Sequence, residues 1–334
     1  MHHVPPRARL LASAMALLLA LGMVLPAVAQ DATPLATPPA GPCEAPELPP
    51  GTPTPREEAT PEAEAEASPG VEEDQAVAAE EEAPPAAPAG TPAASAEAEA
   101  AEAALENLFN CINAGDYLAV AALLTENFIR NFIDVPTPYD VPATFEDVQP
   151  VAVRSLGNAQ TYADGRVSVD AVYTGLFGGP GALASDRWFF VEEDGVYKLD
   201  NVQFGVPLPE GVLPGATVVD VQMVDFAFAL DTYTIPAGPV IFRTVNASAA
   251  DHPHVNAVVT LREGTTAEQV IEGEVNADEA YTGFFGAAFL EPGQTGDLAF
   301  ERLEPGTYFL VCDVETADGT PHYELGMVAQ ITVE

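Results

Sequence analysis

The sequence predicts a multidomain protein in which an α+β domain is followed by an all-β sandwich. Near Ala96 the composition changes from Pro, Ala and Glu to a mixture that includes aromatic residues. Helical spacing of apolar residues then gives way to alternating, strand-like segments. About seven further strand-like segments, separated by Gly and Pro turns, fill the end of the chain, which is typical of a Greek-key sandwich. The 334 residues therefore divide into a signal peptide (1–30), a disordered acidic segment (31–95), the α+β domain (96–204), a linker (205–215) and the sandwich (216–334).

The first 30 residues have the features of a secretory signal peptide. Arg7 and Arg9 form a basic start, an apolar run follows, and Ala27-Val28-Ala29 offers a small-residue cleavage site. The alternative is an uncleaved membrane anchor. We expect an extracytoplasmic protein, secreted, periplasmic or at the cell surface, with no membrane span in the mature chain. Residues 31–95 contain no aromatic residue, and such a Pro-, Ala- and Glu-rich segment cannot bury enough apolar surface to fold.

Charge and cysteine content narrow the set of partners. The formal net charge of -40 disfavours nucleic acids and anionic membranes as partners, because the surrounding potential repels polyanions. Three cysteines, Cys43, Cys111 and Cys312, leave at least one thiol unpaired, which fits a cysteine that serves a metal. A bridge between Cys43 and Cys111 is an open alternative.

The α+β domain begins with two helices. Leu105, Leu108 and Ile112 have helical spacing, and Asp116 can cap a second helix after Gly115. Asp-Gly pairs at 164–165 and 194–195 predict turns between the strands that follow.

The phrases NAGDYLAVAALLTENF and RWFFVEEDGVYKLDNVQF resemble the nuclear-transport-factor-2-like superfamily, which includes SnoaL-like proteins. This resemblance implies a cone-shaped fold whose mouth can hold a small ligand. Members that are enzymes place acids or histidines inside the cone, but this segment has no histidine. Its acids include Asp134, Asp140, Asp170 and Asp186. Asp170, in an alternating strand, is the candidate base, and the alternative is a solvated carboxylate on the strand face.

A metal-binding pattern occurs near the C terminus. Cys312 ends an apolar run after a turn, and His322 and Met327 follow with the spacing C-x9-H-x4-M. Upstream, DHPHVNAVV supplies a second imidazole from His252 or His254; Pro253 suits a turn, so His254 opens the strand and is favoured. Two imidazoles, a thiolate and a weak axial thioether form a blue-copper ligand set. Zinc competes for the Cys-His-His set, and the thioether favours copper.

The segment from about Ala216 to Glu334 resembles the cupredoxins, the plastocyanin-like blue copper proteins. The opening VVDVQMVDFAFALDTYTIPAGPVIFRTVNAS and the approach LEPGTYFLVC carry the resemblance. It implies that His254, Cys312, His322 and Met327 bind copper. The chain departs from plastocyanins in having Val255, not Asn, after the first histidine, and in its longer Cys-to-His loop.

The sequence therefore predicts an exported copper protein that transfers one electron at a time to an unidentified redox partner. It favours an electron carrier or binding protein over an enzyme. His322 would form the exposed edge of the site, and Asn256 or the backbone near Asn246 would hold a histidine from behind. The alternative is a metal-free extracellular binding or scaffold protein with a small-ligand pocket in the cone-shaped domain. In that case Cys312 would be a buried apolar residue of the sandwich.

Overall fold

The computed structural model describes residues 41–54, 90–145, 148–176, 178–179, 181–248 and 252–334. The predicted signal peptide lies outside these residues, and so does most of the segment predicted to be disordered. No helix within the described ranges is both long and apolar enough to cross a bilayer.

The first half combines two α-helices with a meander of antiparallel strands. Its elements are β1 Thr91–Pro92, α1 Ser95–Ala114, α2 Tyr117–Ala122, a π-helical turn Phe128–Phe132, a 3-10 turn Val141–Thr144, β2 Gln149–Thr161, β3 Val167–Leu176, β4 Ala182–Glu193 and β5 Val196–Gln203. Helix α1 packs on the sheet, with Leu105 and Phe109 against Trp188 and Phe190. Each such buried side chain contributes roughly 1.5–3 kcal/mol to folding.

The second half is a β-sandwich with two short helices. Its elements are β6 Thr217–Val224, β7 Ala227–Leu230, β8 Thr234–Ile235, β9 Gly238–Asn246, β10 His254–Leu261, α3 Ala267–Ile271, α4 Ala277–Ala280, β11 Tyr281–Leu290, β12 Thr295–Leu303, β13 Gly306–Val311 and β14 Val328–Val333. One sheet has the order β11-β10-β13-β14-β8, and the facing strands are ordered β12-β9-β6-β7. Phe242, Phe300 and Leu310 are buried in one core with residues of both layers.

The predicted chain breaks and caps are confirmed. Gly115 ends α1 in the left-handed region at φ 70°, where glycine avoids a steric penalty. The Asp116 carboxylate accepts a hydrogen bond from the Ala119 N–H at 3.1 Å and so caps α2. Helix α3 begins with a capping box that joins Thr266 to Gln269.

The two halves share a sheet. Strand β4 pairs with β12 through Leu183↔Ala299 and Ala182↔Phe300, which makes β1-β2-β3-β4-β12-β9-β6-β7 one path. The first residues of the predicted linker are packed: Val206 and Leu208 are buried. The Leu208 N–H donates to Asp297 at 2.9 Å. Backbone pairing, and not only a short connection, therefore holds the halves together.

The prediction of disorder is wrong for residues 41–54, called here the docked segment. A disulfide joins Cys43 to Cys111 in α1. The Glu44 N–H donates to Asn107 Oδ1 at 2.9 Å, and the Thr54 N–H donates to Asp140 Oδ1 at 2.7 Å. A segment with little apolar surface is thus fixed by a covalent bond and polar contacts. The end of the predicted disordered range is also ordered, since β1 pairs with β2.

Candidate metal centre

Three donor atoms converge in the core of the sandwich. His254 Nδ1 lies 3.1 Å from His322 Nδ1, and Cys312 Sγ lies 3.4 Å from His322 Nδ1 and 3.8 Å from His254 Nδ1. A triangle with these sides has a centre about 2.0 Å from each corner, close to the ~2.0–2.1 Å of a metal–imidazole bond. All three residues are at most 1% exposed. The triangle is therefore sized for one metal ion.

Strand pairing accounts for the meeting of His254 and Cys312. His254 is the first residue of β10, and Cys312 directly follows the end of β13. The two strands are antiparallel neighbours, with Ala257 opposite Val311, so the start of one lies beside the end of the other. The Val255 N–H donates to Cys312 Sγ at 3.3 Å. This hydrogen bond stabilises negative charge on the sulfur.

Backbone hydrogen bonds fold the loop after Cys312 back onto the site. The His322 N–H donates to the Val314 carbonyl at 2.8 Å, the Met327 N–H to the His322 carbonyl at 3.0 Å, and the Cys312 N–H to the Met327 carbonyl at 3.2 Å. Met327 is fully buried. These bonds hold the histidine in place before any metal binds, and the role of Met327 as axial ligand stays a prediction.

Ser248 and Asn246 support the first histidine from behind. Ser248 Oγ lies 2.8 Å from His254 Nε2. The Asn246 side-chain amide donates to the carbonyls of His252 and Leu290, and Asn246 Oδ1 accepts from the Ser248 N–H at 3.1 Å. The sequence prediction placed this role on Asn256 or on the backbone near Asn246; the Asn256 amide instead donates to Thr244.

A sequence signal for this support was present. Asn246-Ala247-Ser248 is a pattern that forms an Asx turn, in which the Asn side chain accepts from a backbone N–H two residues on. The same three residues match a glycosylation sequon. The turn, which begins at the last residue of β9 and precedes the first histidine, was the more informative property.

The protonation of the donors suits a cation. Burial, followed by the charges of neighbouring histidines, lowers the pKa of His254 to about 4, and burial with the charge of His252 lowers the pKa of His322 to about 4. Both imidazoles are thus neutral near pH 7 and each can offer a lone pair. Burial also raises the pKa of the Cys312 thiol to about 12. A metal ion must therefore displace the thiol proton when it binds.

The structure bears on two expectations about the histidines, which are the exposure of His322 and the choice between His252 and His254. The expectation that His322 forms an exposed edge is wrong, because the residue is 1% exposed. The ring of Phe226, from the turn between β6 and β7, packs edge-on against it with centroids 4.8 Å apart. Among the described residues, the donor group that could hold a metal consists of His254, Cys312 and His322. His252 lies beside it, with its ring 6.2 Å from that of His322.

Asp170 and Asp186 of the first half are occupied by their own neighbours. Asp170 accepts from Arg187 Nε at 2.6 Å and from Nη2 at 2.9 Å, which leaves it paired and not poised as a base. Asp186, 4% exposed, accepts from the Tyr173 hydroxyl at 2.5 Å and the Gly205 N–H at 2.8 Å. Burial raises the pKa of Asp186 to about 6. Sequence spacing did not reveal this Tyr–Asp pair.

No protein-family model matches the chain, and no curated protein matches it. Solved structures do resemble it. Auracyanin B is 24% identical over 39% of this chain and 94% of its own, with a TM-score of 0.27. Reduced auracyanin from the photosynthetic bacterium Roseiflexus castenholzii is 24% identical over 36% and 99%, with a TM-score of 0.26. A multi-copper oxidase from Pediococcus acidilactici is 16% identical over 50% and 38%, with a TM-score of 0.22. These TM-scores lie below 0.5, so the likeness carries no argument about chemistry. We infer the chemistry of the site from its own donor atoms.

Proposed function

We propose that the sandwich is a cupredoxin-type domain that binds one copper ion and transfers single electrons. The observation that carries this proposal is the buried triangle of His254 Nδ1, Cys312 Sγ and His322 Nδ1, with sides of 3.1–3.8 Å. Two imidazoles and a thiolate in a trigonal arrangement, with a weak axial thioether, form a copper electron-transfer site. Met327, buried in the same core, would supply the thioether that binds the copper weakly.

The protein's own residues would keep the donors still while the charge of the metal changes. Backbone bonds fix His322, Ser248 fixes His254, and the Val255 N–H stabilises negative charge on the sulfur. Copper, when bound, supplies the one-electron chemistry. If the donor atoms do not move when the oxidation state of the metal changes, the reorganisation energy stays small. A small reorganisation energy allows fast electron transfer. The thioether supports copper over zinc, which has no need of such a ligand.

The cellular location proposed is extracytoplasmic. The Cys43–Cys111 disulfide supports it, because such bonds persist in oxidising compartments. The basic and apolar residues of segment 1–30 support export through a signal peptide. In such a compartment Cys312 would survive as a thiol because it is fully buried.

We further propose that residues 96–204 form a nuclear-transport-factor-2-like domain that acts as a scaffold for the copper domain, with the boundary between them at 205–215. Helices that precede an antiparallel sheet, and α1 packed on that sheet, support this assignment. The pairing of β4 with β12 would hold the scaffold in one orientation. The redox partner would be another protein. We propose that the mature chain binds no nucleic acid and has no membrane span.

Copper titration of the purified protein tests the proposal. One equivalent of copper(II) should give an intense thiolate-to-copper absorption in the red part of the visible spectrum. Cys312→Ser should abolish this band. The matched control is the double variant Cys43→Ser/Cys111→Ser, which removes the other two sulfurs and should keep the band. A colourless protein that binds no copper by elemental analysis would refute the proposal, and stoichiometric zinc in preference to copper would assign the site to zinc.

A further inference from the structure

A cavity lies where the two halves of the protein meet. Its volume is about 100 Å³, whereas a single water needs roughly 10–15 Å³. Residues of both halves form the wall: Phe204 and Asp186 from the first, and Phe284, Phe289, Val255 and Asp313 from the second. The cavity therefore exists only because β4 and β12 join the halves.

Small residues keep this junction cavity open. Gly286, at φ 149°, lies on its wall, and a Cβ there would come 2.9 Å from Leu298 Cδ1 and 3.6 Å from Ala182 Cβ. Ala184 and Ala257 also line the space. The aromatic rings of Phe204, Phe284 and Phe289 provide flat apolar surfaces, the usual lining of a small-molecule site.

The residues that line the cavity include three carboxylates beside hydroxyl groups, and one of the carboxylates has an acceptor atom without a partner. Asp186 is occupied by Tyr173 and Gly205, and Asp297 by Arg243 and the Leu208 N–H. Asp313 Oδ1 is buried and has no hydrogen-bond partner among the described residues. A buried acceptor without a donor destabilises the protein, because it has lost its hydrogen bonds to water. A ligand that brings the missing donor would offset this destabilisation.

The cavity and the metal centre lie on opposite faces of the same strands. Val255 follows His254, and Asp313 follows Cys312, while successive side chains of an extended chain point to opposite sides. Val311, which precedes Cys312, also lines the cavity. One layer of backbone therefore separates the cavity from the donor triangle.

We propose that the junction cavity binds a small aromatic ammonium compound, whose ring packs among the phenylalanines and whose N–H groups donate to Asp313. The apolar aromatic wall selects the ring, and the unpartnered acidic acceptor selects a positively charged donor. The net charge of -40 also attracts cations to the protein. This site is separate from the proposed copper chemistry, because its walls are complete in the metal-free chain.

Ligand titration of the metal-free full chain, followed by calorimetry and NMR, tests the proposal. The probes are benzylamine, benzyl alcohol and benzoate, which share a ring and differ in charge. We expect benzylamine to bind with a Kd on the order of 1 mM, appropriate for a ligand of its size. Benzyl alcohol should bind at least tenfold more weakly, and benzoate should not bind. Equal binding of benzoate and benzylamine, or no binding of benzylamine, would overturn the proposal.

Two variants locate the binding. Asp313→Asn keeps the side-chain volume, removes the charge and should weaken benzylamine binding roughly tenfold or more, as expected for loss of a charge-assisted hydrogen bond. Ala184→Phe, at a half-buried wall position, should fill the cavity and block the probe while the Asp313 carboxylate is retained. The control Asp220→Asn, which removes an exposed charge elsewhere, should bind normally. Unchanged binding by both cavity variants would place the probe elsewhere and overturn the assignment.

Discussion

The acids Asp170 and Asp186 of the first half and the donor triangle of the second half are satisfied in opposite ways. In the first half, Asp170 meets Arg187 and Asp186 meets Tyr173, so each acid already has a donor. In the second half, two imidazole nitrogens and a thiol sulfur point at one another across 3.1–3.8 Å.

Buried polar atoms are normally paired within the protein. The three donor atoms of the triangle have at most one or two protons to share among them. The triangle therefore needs a cation to satisfy all three atoms. The contrast teaches that burial alone does not mark a site. Asp170 and Asp186 are completed by neighbouring residues of the first half, whereas the donor triangle of the second half needs a cation from outside.

The sharpest way to break this comparison is to remove one donor of the triangle. His254→Ala should eliminate the thiolate-to-copper band or shift it strongly, because a vertex of the triangle is lost. His252→Ala should leave the spectrum nearly unchanged, since His252 lies outside the donor group. Optical spectra of copper-loaded variants decide the matter. The reverse behaviour of the two variants would mean that the strand register at His254 is wrong.

The next largest effect concerns the covalent closure of the first half. Without the Cys43–Cys111 bond, which links residues 68 apart, the free energy of unfolding should fall by about 2–4 kcal/mol because the unfolded chain gains freedom. Denaturant melts of Cys43→Ser/Cys111→Ser measure the loss. Wild type under reducing and oxidising conditions serves as the control. An unchanged midpoint would show that the docked segment contributes nothing to stability.

A pH effect tests whether the first half is truly self-contained. The pKa of Asp186 is about 6 in the folded protein, against ~3.9 for an unfolded Asp. The folded state thus holds more protons between these values, and stability should fall by up to about 3 kcal/mol as the pH rises from 4 to 6. Asp186→Asn should lack this component in pH-dependent melts, while Asp194→Asn, at an exposed turn, should retain it. Identical pH profiles for wild type and Asp186→Asn would refute the assignment.

The smallest expected effect concerns the support of the metal centre. Ser248→Ala removes the hydroxyl beside His254 Nε2, and such supporting contacts change metal affinity by roughly 10–100-fold. Competition with a chelator measures the affinity. Thr307→Ala, at an exposed position of β13, is a control that removes a hydroxyl away from the imidazoles. If Ser248→Ala binds copper as tightly as wild type, the histidine is positioned by its strand alone.

Much of the fold could be predicted because local patterns determined it. Gly115, Asp116 and the Asp-Gly turns are signals whose physical basis lies within a few residues, and each occurs where predicted. The three converging donors could also be inferred, since the end of one strand and the start of another carry chemically matched side chains.

Features that depend on distant contacts were not accessible from the sequence. The docked segment has the composition of a disordered tail, and its disulfide to Cys111 and its hydrogen bonds to Asn107 and Asp140 order it. His322 was expected at the surface because Pro321 and Tyr323 flank it, but Phe226, almost 100 residues earlier, covers it. The β4–β12 pairing, which creates the junction cavity, likewise joins segments that no local pattern connects.

The disulfide also determines how the chain would bear mechanical load. A force applied to the N-terminal tail reaches Cys43 and passes directly into Cys111, so the intervening chain is shielded from tension. Reduction would release the chain between the two cysteines, which are 68 positions apart, and this could lengthen the molecule by up to about 220–245 Å at 3.3–3.6 Å per residue. The Cys43–Cys111 bond therefore limits how far the protein extends under force, and this limit depends on the redox state of the surroundings.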